Sequence, residues 1–120
     1  MPDNDLFLQV RDGAHPGEKV MVLQGVLNMQ TLLEFRDYIR QQQPPDTLII
    51  DMSGVRYVDS SGLGALIAAY VSFEQKFKRL LLAGTNDRIW NLFRTCKVED
   101  LFTRYHSVDD AERTVAGSVA

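Results

Sequence analysis

The stretch that decides the fold is TLIIDMSGVRYVDSSGLGALIAAY, Thr47 to Tyr70. It opens with a nearly continuous apolar run, Thr47–Asp51, the pattern of a strand covered on both faces. It closes on a helical pattern: Leu63, Leu66, Ile67, Tyr70, Val71 and, beyond it, Phe77 predict a helix from about Ser61 to Lys76. Ala65, Ala68 and Ala69 favour that helix and allow close packing. Between the two lie Asp59, Ser60, Ser61, Gly62, Leu63 and Gly64: an acid, two hydroxyls and two glycines around a helix mouth.

Reading outward, Leu6–Val10 is a short strand and RDGAHPGE a turn. Lys19–Leu27 is a second strand that pairs with the first as a hairpin. Gly25 inside it predicts a bulge or a close backbone approach. A helix is expected from about Met29 to Gln42, with Asn28 as N-cap, Leu32, Phe35 and Ile39 facing inward, and Pro44 and Pro45 ending it. Arg79–Thr85 reads as another buried strand. Asn86 caps a third helix, with Asp87 in the first turn where the dipole favours an acid, and Ile89, Leu92, Phe93 and Cys96 as its stripe. Leu101–His106 reads as a fifth, shorter strand. Ser107 caps a last helix led by Asp109 and Asp110, and the residues from about 116 fray.

The order β-β-α-β-α-β-α-β-α predicts one α/β domain over residues 1–120. Its sheet is mostly parallel, with four to five strands and an N-terminal hairpin strand, packed by about four helices. In such sheets sites gather at the carboxyl ends of strands and the amino ends of the helices after them. The hydroxyl-rich segment occupies that kind of place.

Composition narrows the function. The chain has 120 residues, 45% hydrophobic and 24% charged, with a formal net charge of -3. That is an ordinary globular mixture without the basic excess of a nucleic-acid binder. A single cysteine, Cys96, rules out an intrachain disulfide and reads as a small core residue. The opening residues lack a signal-peptide pattern, and no apolar run approaches the roughly 20 residues that span a bilayer. A cytoplasmic protein without direct membrane insertion is expected.

The segment Asp59–Gly64 admits two readings. In one, Asp59 or Ser60 caps the helix and the glycines let it lie close to the sheet. Yet each glycine costs on the order of 1 kcal/mol relative to alanine in a helix interior, and a cap alone needs neither. In the other, small residues flank an exposed hydroxyl so that a partner's backbone or a nucleotide comes close. A phosphoryl group there adds about -1.5 to -2 charges, and in a partner interface that charge repels neighbouring acids. No Lys-Ser/Thr pair comes after the glycines as in a P-loop, and no glycine precedes the serines as in a nucleophile elbow. His15 and His106 lie in a turn and near a strand end, which argues against a Ser-His-Asp triad. No Cys/His cluster has metal-ligand spacing. No catalytic residue, metal or cofactor is expected.

LIIDMSGVRYVDSSGLGALIAAY, Leu48 to Tyr70, resembles the signature of the STAS domain, in particular that of bacterial anti-sigma factor antagonists. GVLN, Gly25 to Asn28, is similar to the family's turn before its first helix, and VEDLFTRYHSVDDAE, Val98 to Glu112, to its closing strand and helix. The resemblance implies a binding module and not an enzyme. It implies that Ser61 accepts phosphate from a partner anti-sigma factor that is a serine kinase. The unphosphorylated form binds that kinase and frees a sigma factor; phosphorylation breaks the complex, and a PP2C-type phosphatase restores it. Asn28, Asp59, Ser60, Gly62, Leu63 and Gly64 are then the expected partner contacts, although helical spacing also places Leu63 in the core. The kinase supplies ATP, magnesium and the base.

Two departures stand out. Asn28 replaces the family's usual Asp, keeping the capping ability but losing a charge. Cys96-Lys97 stands where the family often has glycine. Two other readings are a STAS scaffold or accessory subunit of a signalling complex or membrane transporter, and a small nucleotide-binding enzyme. The open edge of the hairpin allows a homodimer.

Overall fold

The computed structural model describes residues 4–41 and 43–117. Its elements are β1 (Leu6–Asp12), β2 (Glu18–Leu27), α1 (Leu32–Ile39), β3 (Thr47–Val58), α2 (Ser60–Gln75), β4 (Arg79–Ala83), α3 (Asp87–Thr95), β5 (Arg104–Tyr105) and α4 (Val108–Gly117). The five strands form one sheet in the order β1-β2-β3-β4-β5. β1 runs antiparallel to β2, and every other pair is parallel. The expected α/β architecture is the one observed.

Strand alternation builds the two cores. Met21, Leu23, Leu48, Ile50, Met52, Leu80 and Leu82 point to one face of the sheet, where they meet Phe35, Leu66, Phe73 and Phe93 from α1, α2 and α3. Val20, Ile49, Leu81 and Ala83 point to the other, which α4 covers with Ala111 and Val115. A side-chain period of two along each strand forces this division. The continuous apolar run 48–50 is therefore a strand covered on both sides.

Several boundaries differ from the sequence expectation. β3 continues past Asp51 to Val58, because β2 keeps pairing with it through Leu27 after β4 has ended opposite Asp51. That extension has only one strand neighbour, which explains why its apolar run breaks up. The register shifts at Val22/Gln24 and at Gly25/Val26, and Gly25 takes a φ of 116°. A Cβ there would sit 2.1 Å from the Asp5 carbonyl oxygen, so both features read from Gly25 are present.

α1 begins at Leu32 and ends at Ile39, shorter than 29–42; Gln42 lies outside the described residues. Asn28 does not cap α1. Its Oδ1 accepts from the amides of Gln30 (3.0 Å) and Thr31 (3.1 Å), which folds Met29–Thr31 into a turn. β5 is only Arg104–Tyr105, preceded by a 3-10 turn at Glu99–Leu101. Phe102 leaves the sheet edge and enters the core against Tyr70 and Phe93, at ring distances of 5.3 and 5.4 Å. α4 spans Val108–Gly117; residues 118–120, part of the segment expected to fray, lie outside the described residues.

Three side chains expected inside are outside. Val71 is exposed, and Phe77 is 97% exposed, because the buried face of α2 runs through Leu63, Leu66, Ala69 and Phe73. Cys96 is exposed too, at the end of α3, whose packed stripe is Ile89, Trp90 and Phe93. Both helices close in the same way. Lys78 N–H donates to the Phe73 carbonyl and Phe77 N–H to that of Glu74; Val98 N–H donates to Phe93 and Lys97 N–H to Arg94. This is the Schellman closure, and it puts Phe77 (φ 58°) and Lys97 (φ 59°) in the left-handed region that glycine usually fills. The missing glycine beside Cys96 is thus a lysine bearing the same backbone conformation.

Candidate functional site at the mouth of the second helix

The carboxyl ends of β2 and β3 lie side by side, with Leu27 opposite Val58. Asp59 N–H donates to the Leu27 carbonyl at 3.2 Å and fixes the chain as it leaves β3. The Asp59 carboxylate then does two things. Its Oδ1 accepts from Gly62 N–H at 2.7 Å and caps α2. Its Oδ2 accepts from Met29 N–H at 3.3 Å and ties the mouth of α2 to the turn before α1.

Gly62 is buried, and a Cβ on it would lie 2.2 Å from the Leu27 carbonyl oxygen. Only glycine lets α2 sit this close to β2, so Gly62 serves the fold. Leu63 is 3% exposed and belongs to the core. Gly64 is different: it is exposed, with nothing within 4 Å of its virtual Cβ. Ser60 is exposed and Ser61 half-buried. Among the described residues neither hydroxyl has a hydrogen-bond partner. The mouth of α2 therefore presents Ser60, Ser61 and Gly64 outward on a doubly tethered frame.

Asn28 is half-buried beside it and already engaged. Besides its two turn amides, its Nδ2 donates to the Asn4 side chain, a bond the family's usual Asp cannot make. Thr31 completes the turn: its Oγ1 donates to the Val26 carbonyl at 2.8 Å and accepts from Asn28 N–H at 3.0 Å.

Sequence reasoning missed the surroundings. A groove of about 400 Å³ runs from Ser60 and Asp59 to α3, bordered by Tyr57, Arg88 and Thr95. The Arg88 guanidinium stacks 5.4 Å over the centre of the Tyr57 ring. Met29, 72% exposed, adds apolar surface next to the Asp59 tether, and Leu33 is exposed one turn further on. The one available signal was an apolar residue on the polar side of the α1 pattern.

The histidines are not drawn in. His15 Nε2 lies 3.2 Å from the Glu112 carbonyl oxygen, against α4, and His106 comes directly after β5. Among the described residues no group of three or more His, Cys, Asp or Glu side chains forms a metal site, and no helix is long and apolar enough to cross a membrane. A second concentration of acid lies where β2 begins. Ala14 N–H donates to both Glu18 Oε2 and Glu112 Oε2, each at 2.7 Å. Burial, and then the neighbouring Glu112 carboxyl, raise the Glu18 carboxyl above its ordinary range.

Residues 8–111 match the STAS domain, and the chain belongs to that family. It is 29% identical over 79 residues to the anti-sigma-B factor antagonist of Listeria monocytogenes, covering 64% of this chain and 69% of that one. The crystal structure of an anti-sigma factor antagonist from Mycobacterium paratuberculosis aligns over 97% of both chains, with a TM-score of 0.80 and 26% identity. The Bacillus cell fate determinant SpoIIAA, solved in its phosphorylated form, shares the fold with a TM-score of 0.70 at 18% identity, over 90% of this chain and 99% of that one.

Proposed function

We propose that this protein is a phosphorylation-controlled binding module of the anti-sigma factor antagonist type, without catalysis of its own. Unphosphorylated, it docks an anti-sigma factor that is a serine kinase, and the sigma factor held by that kinase goes free. The kinase then transfers the γ-phosphoryl group of ATP to Ser61 Oγ, ADP leaves, and the hydroxyl proton passes to a base on the kinase. A PP2C-type phosphatase hydrolyses the phosphoserine and resets the module. The exposed surface at the mouth of α2, with Ser60, Met29 and Gly64 around Ser61, forms the contact.

The observation that carries this reading is the pair of unpartnered serine hydroxyls on a rigid, doubly tethered helix mouth. A hydroxyl committed to the fold would be hydrogen-bonded, and one on a loose loop would not hold a docking geometry. A phosphoryl group at Ser61 adds nearly two negative charges beside the fixed Asp59 carboxylate. In a docked complex that charge must lose its water, which the apolar surface of Met29 and Leu33 does not compensate. The names and phosphorylated form of the similar proteins support the same reading.

The test is incubation with a candidate kinase and ATP, followed by mass spectrometry. Phosphate is expected on Ser61. Ser61→Ala is expected to keep binding the kinase, and Ser61→Asp to lose at least about thirtyfold in affinity, the scale of an unpaired charge at an interface. Equal affinities for the two variants, or phosphate found on another residue, refute the switch.

A further inference from the structure

We propose that the β1 edge is a self-association surface, on which a second copy of this chain lays its own β1 antiparallel across a twofold axis at Leu8. Among the described residues β1 is paired on one side only, to β2. Its bonds to β2 use odd-numbered positions: Val26 N–H donates to the Asp5 carbonyl and Gly13 N–H to the Glu18 carbonyl, each at 2.9 Å. In an antiparallel pair such positions alternate, so the N–H and C=O groups of Leu6, Leu8 and Val10 point away from β2. An open row of this kind is a template for another strand.

The side chains do not blunt that edge. β1 reads LFLQVRD, without proline, lysine or bulge, and Phe7 and Val10 are exposed, Phe7 at 51%. At the other end of the sheet, β5 has only two residues and offers no comparable template.

One register matches the sequence to itself. With the axis at Leu8, Leu6 of one copy faces Val10 of the other, Phe7 faces Gln9, and Asp5 faces Arg11. The pairs Leu6–Val10, Leu8–Leu8 and Val10–Leu6 each exchange two backbone hydrogen bonds. Apolar residues meet apolar residues on one face, and opposite charges meet twice on the other, the arrangement that stabilises cross-strand pairs. Moving the axis to Val10 sets Leu8 against Asp12, to Gln9 sets Leu6 against Asp12, to Phe7 sets Val10 against Asn4 and to Leu6 sets Leu8 against Asn4; within the strand none of these matches Asp5 with a base. The partner this edge fits is therefore another copy of the same chain. The surface stands apart from the α2 mouth and does not rest on the phosphorylation reading.

Sedimentation equilibrium of the full chain from micromolar to millimolar concentration tests this. A reversible dimer is expected. Arg11→Glu sets acid against acid twice and should raise the dimer dissociation constant at least about tenfold. The double variant Asp5→Arg/Arg11→Glu restores opposite charges and should return it to within about threefold of the unaltered chain. Val10→Pro removes an outward N–H while leaving the β1–β2 ladder intact, and should abolish the dimer with an unchanged circular dichroism spectrum. If Val10→Pro fails to fold, the charge exchange decides alone. A chain that stays monomeric throughout, a dimer indifferent to these variants, or no recovery in the double variant overturns the proposal, as does an edge that pairs only with a different protein.

Discussion

Helices α2 and α3 both start where a parallel strand ends, and both are capped by an Asx carbonyl or carboxylate oxygen. Asp59 accepts from Gly62 N–H at 2.7 Å, and Asn86 accepts from Ile89 N–H at 2.8 Å. The first turns beyond these caps differ. α3 carries its own anion: Asp87 lies in the first turn, 2.7 Å from the Arg104 guanidinium, which holds its carboxyl below the usual range. α2 has no acid in its first turn; Ser60, Ser61 and Gly62 fill it. Beyond its cap, the first turn of α3 carries a fixed charge, while that of α2 is left as small side chains and free hydroxyls. The cap fold is common to both, and the open mouth of α2 is the one with room for a modification.

Substitutions that treat the two mouths alike test that contrast. The largest effect is expected inside α2 itself. Gly62→Ala drives a methyl group into the Leu27 carbonyl and should cost about 3 kcal/mol, read by chemical denaturation. Gly64→Ala meets open space and should stabilise by up to about 1 kcal/mol. If Gly64→Ala nevertheless weakens binding to the proposed kinase partner, Gly64 is small for the sake of docking. Equal losses for the two glycines would mean that α2 does not lie against Leu27.

The caps come next. Asp59→Ala removes both the α2 cap and the tether to Met29 and should cost about 2 kcal/mol. Asn86→Ala removes one cap bond and the longer bond from its Nδ2 to the Val55 carbonyl at 3.2 Å, and should cost about 1.5 kcal/mol. A loss at Asp59 no larger than about 1 kcal/mol, the scale of a cap bond alone, would show that the Met29 tether adds nothing. At the far ends of the helices the comparison should vanish. Phe77→Gly and Lys97→Gly each relieve a left-handed backbone and should each raise stability by about 1 kcal/mol, in thermal or denaturant melts.

The smallest effect is expected where β2 begins. The Glu18 carboxyl is raised above its ordinary value of 4.5. Its favourable contribution is therefore complete below that value and is lost as pH rises through the higher folded value. Glu18→Gln should flatten this decline and stabilise the protein at neutral pH by up to about 1 kcal/mol. Denaturation midpoints measured across the weakly acidic range check the sign. Stability that rises with pH in the unaltered chain and falls in Glu18→Gln contradicts it.

The amino-acid sequence by itself determined the order of elements, the Asn86 and Ser107 caps, and the location of the hydroxyl segment at a helix mouth. These features depend on interactions between residues a few positions apart: periodic burial and side chains bonding nearby amides. Ser107 Oγ does accept from Asp110 N–H at 3.2 Å. The family resemblance added the expected role of Ser61, which no local pattern supplies. Only the tertiary structure decided which residues of the mouth serve the fold and which face outward. Gly62 is fixed by a carbonyl from β2 and Asp59 by an amide thirty positions away, whereas Gly64 and Ser60 are left open. It also turned Cys96 and Phe77 outward and cut β5 to two residues. Helical spacing tells which residues share a face, but the neighbours that cover that face come from distant parts of the chain. Burial and exposure are settled only when those parts pack.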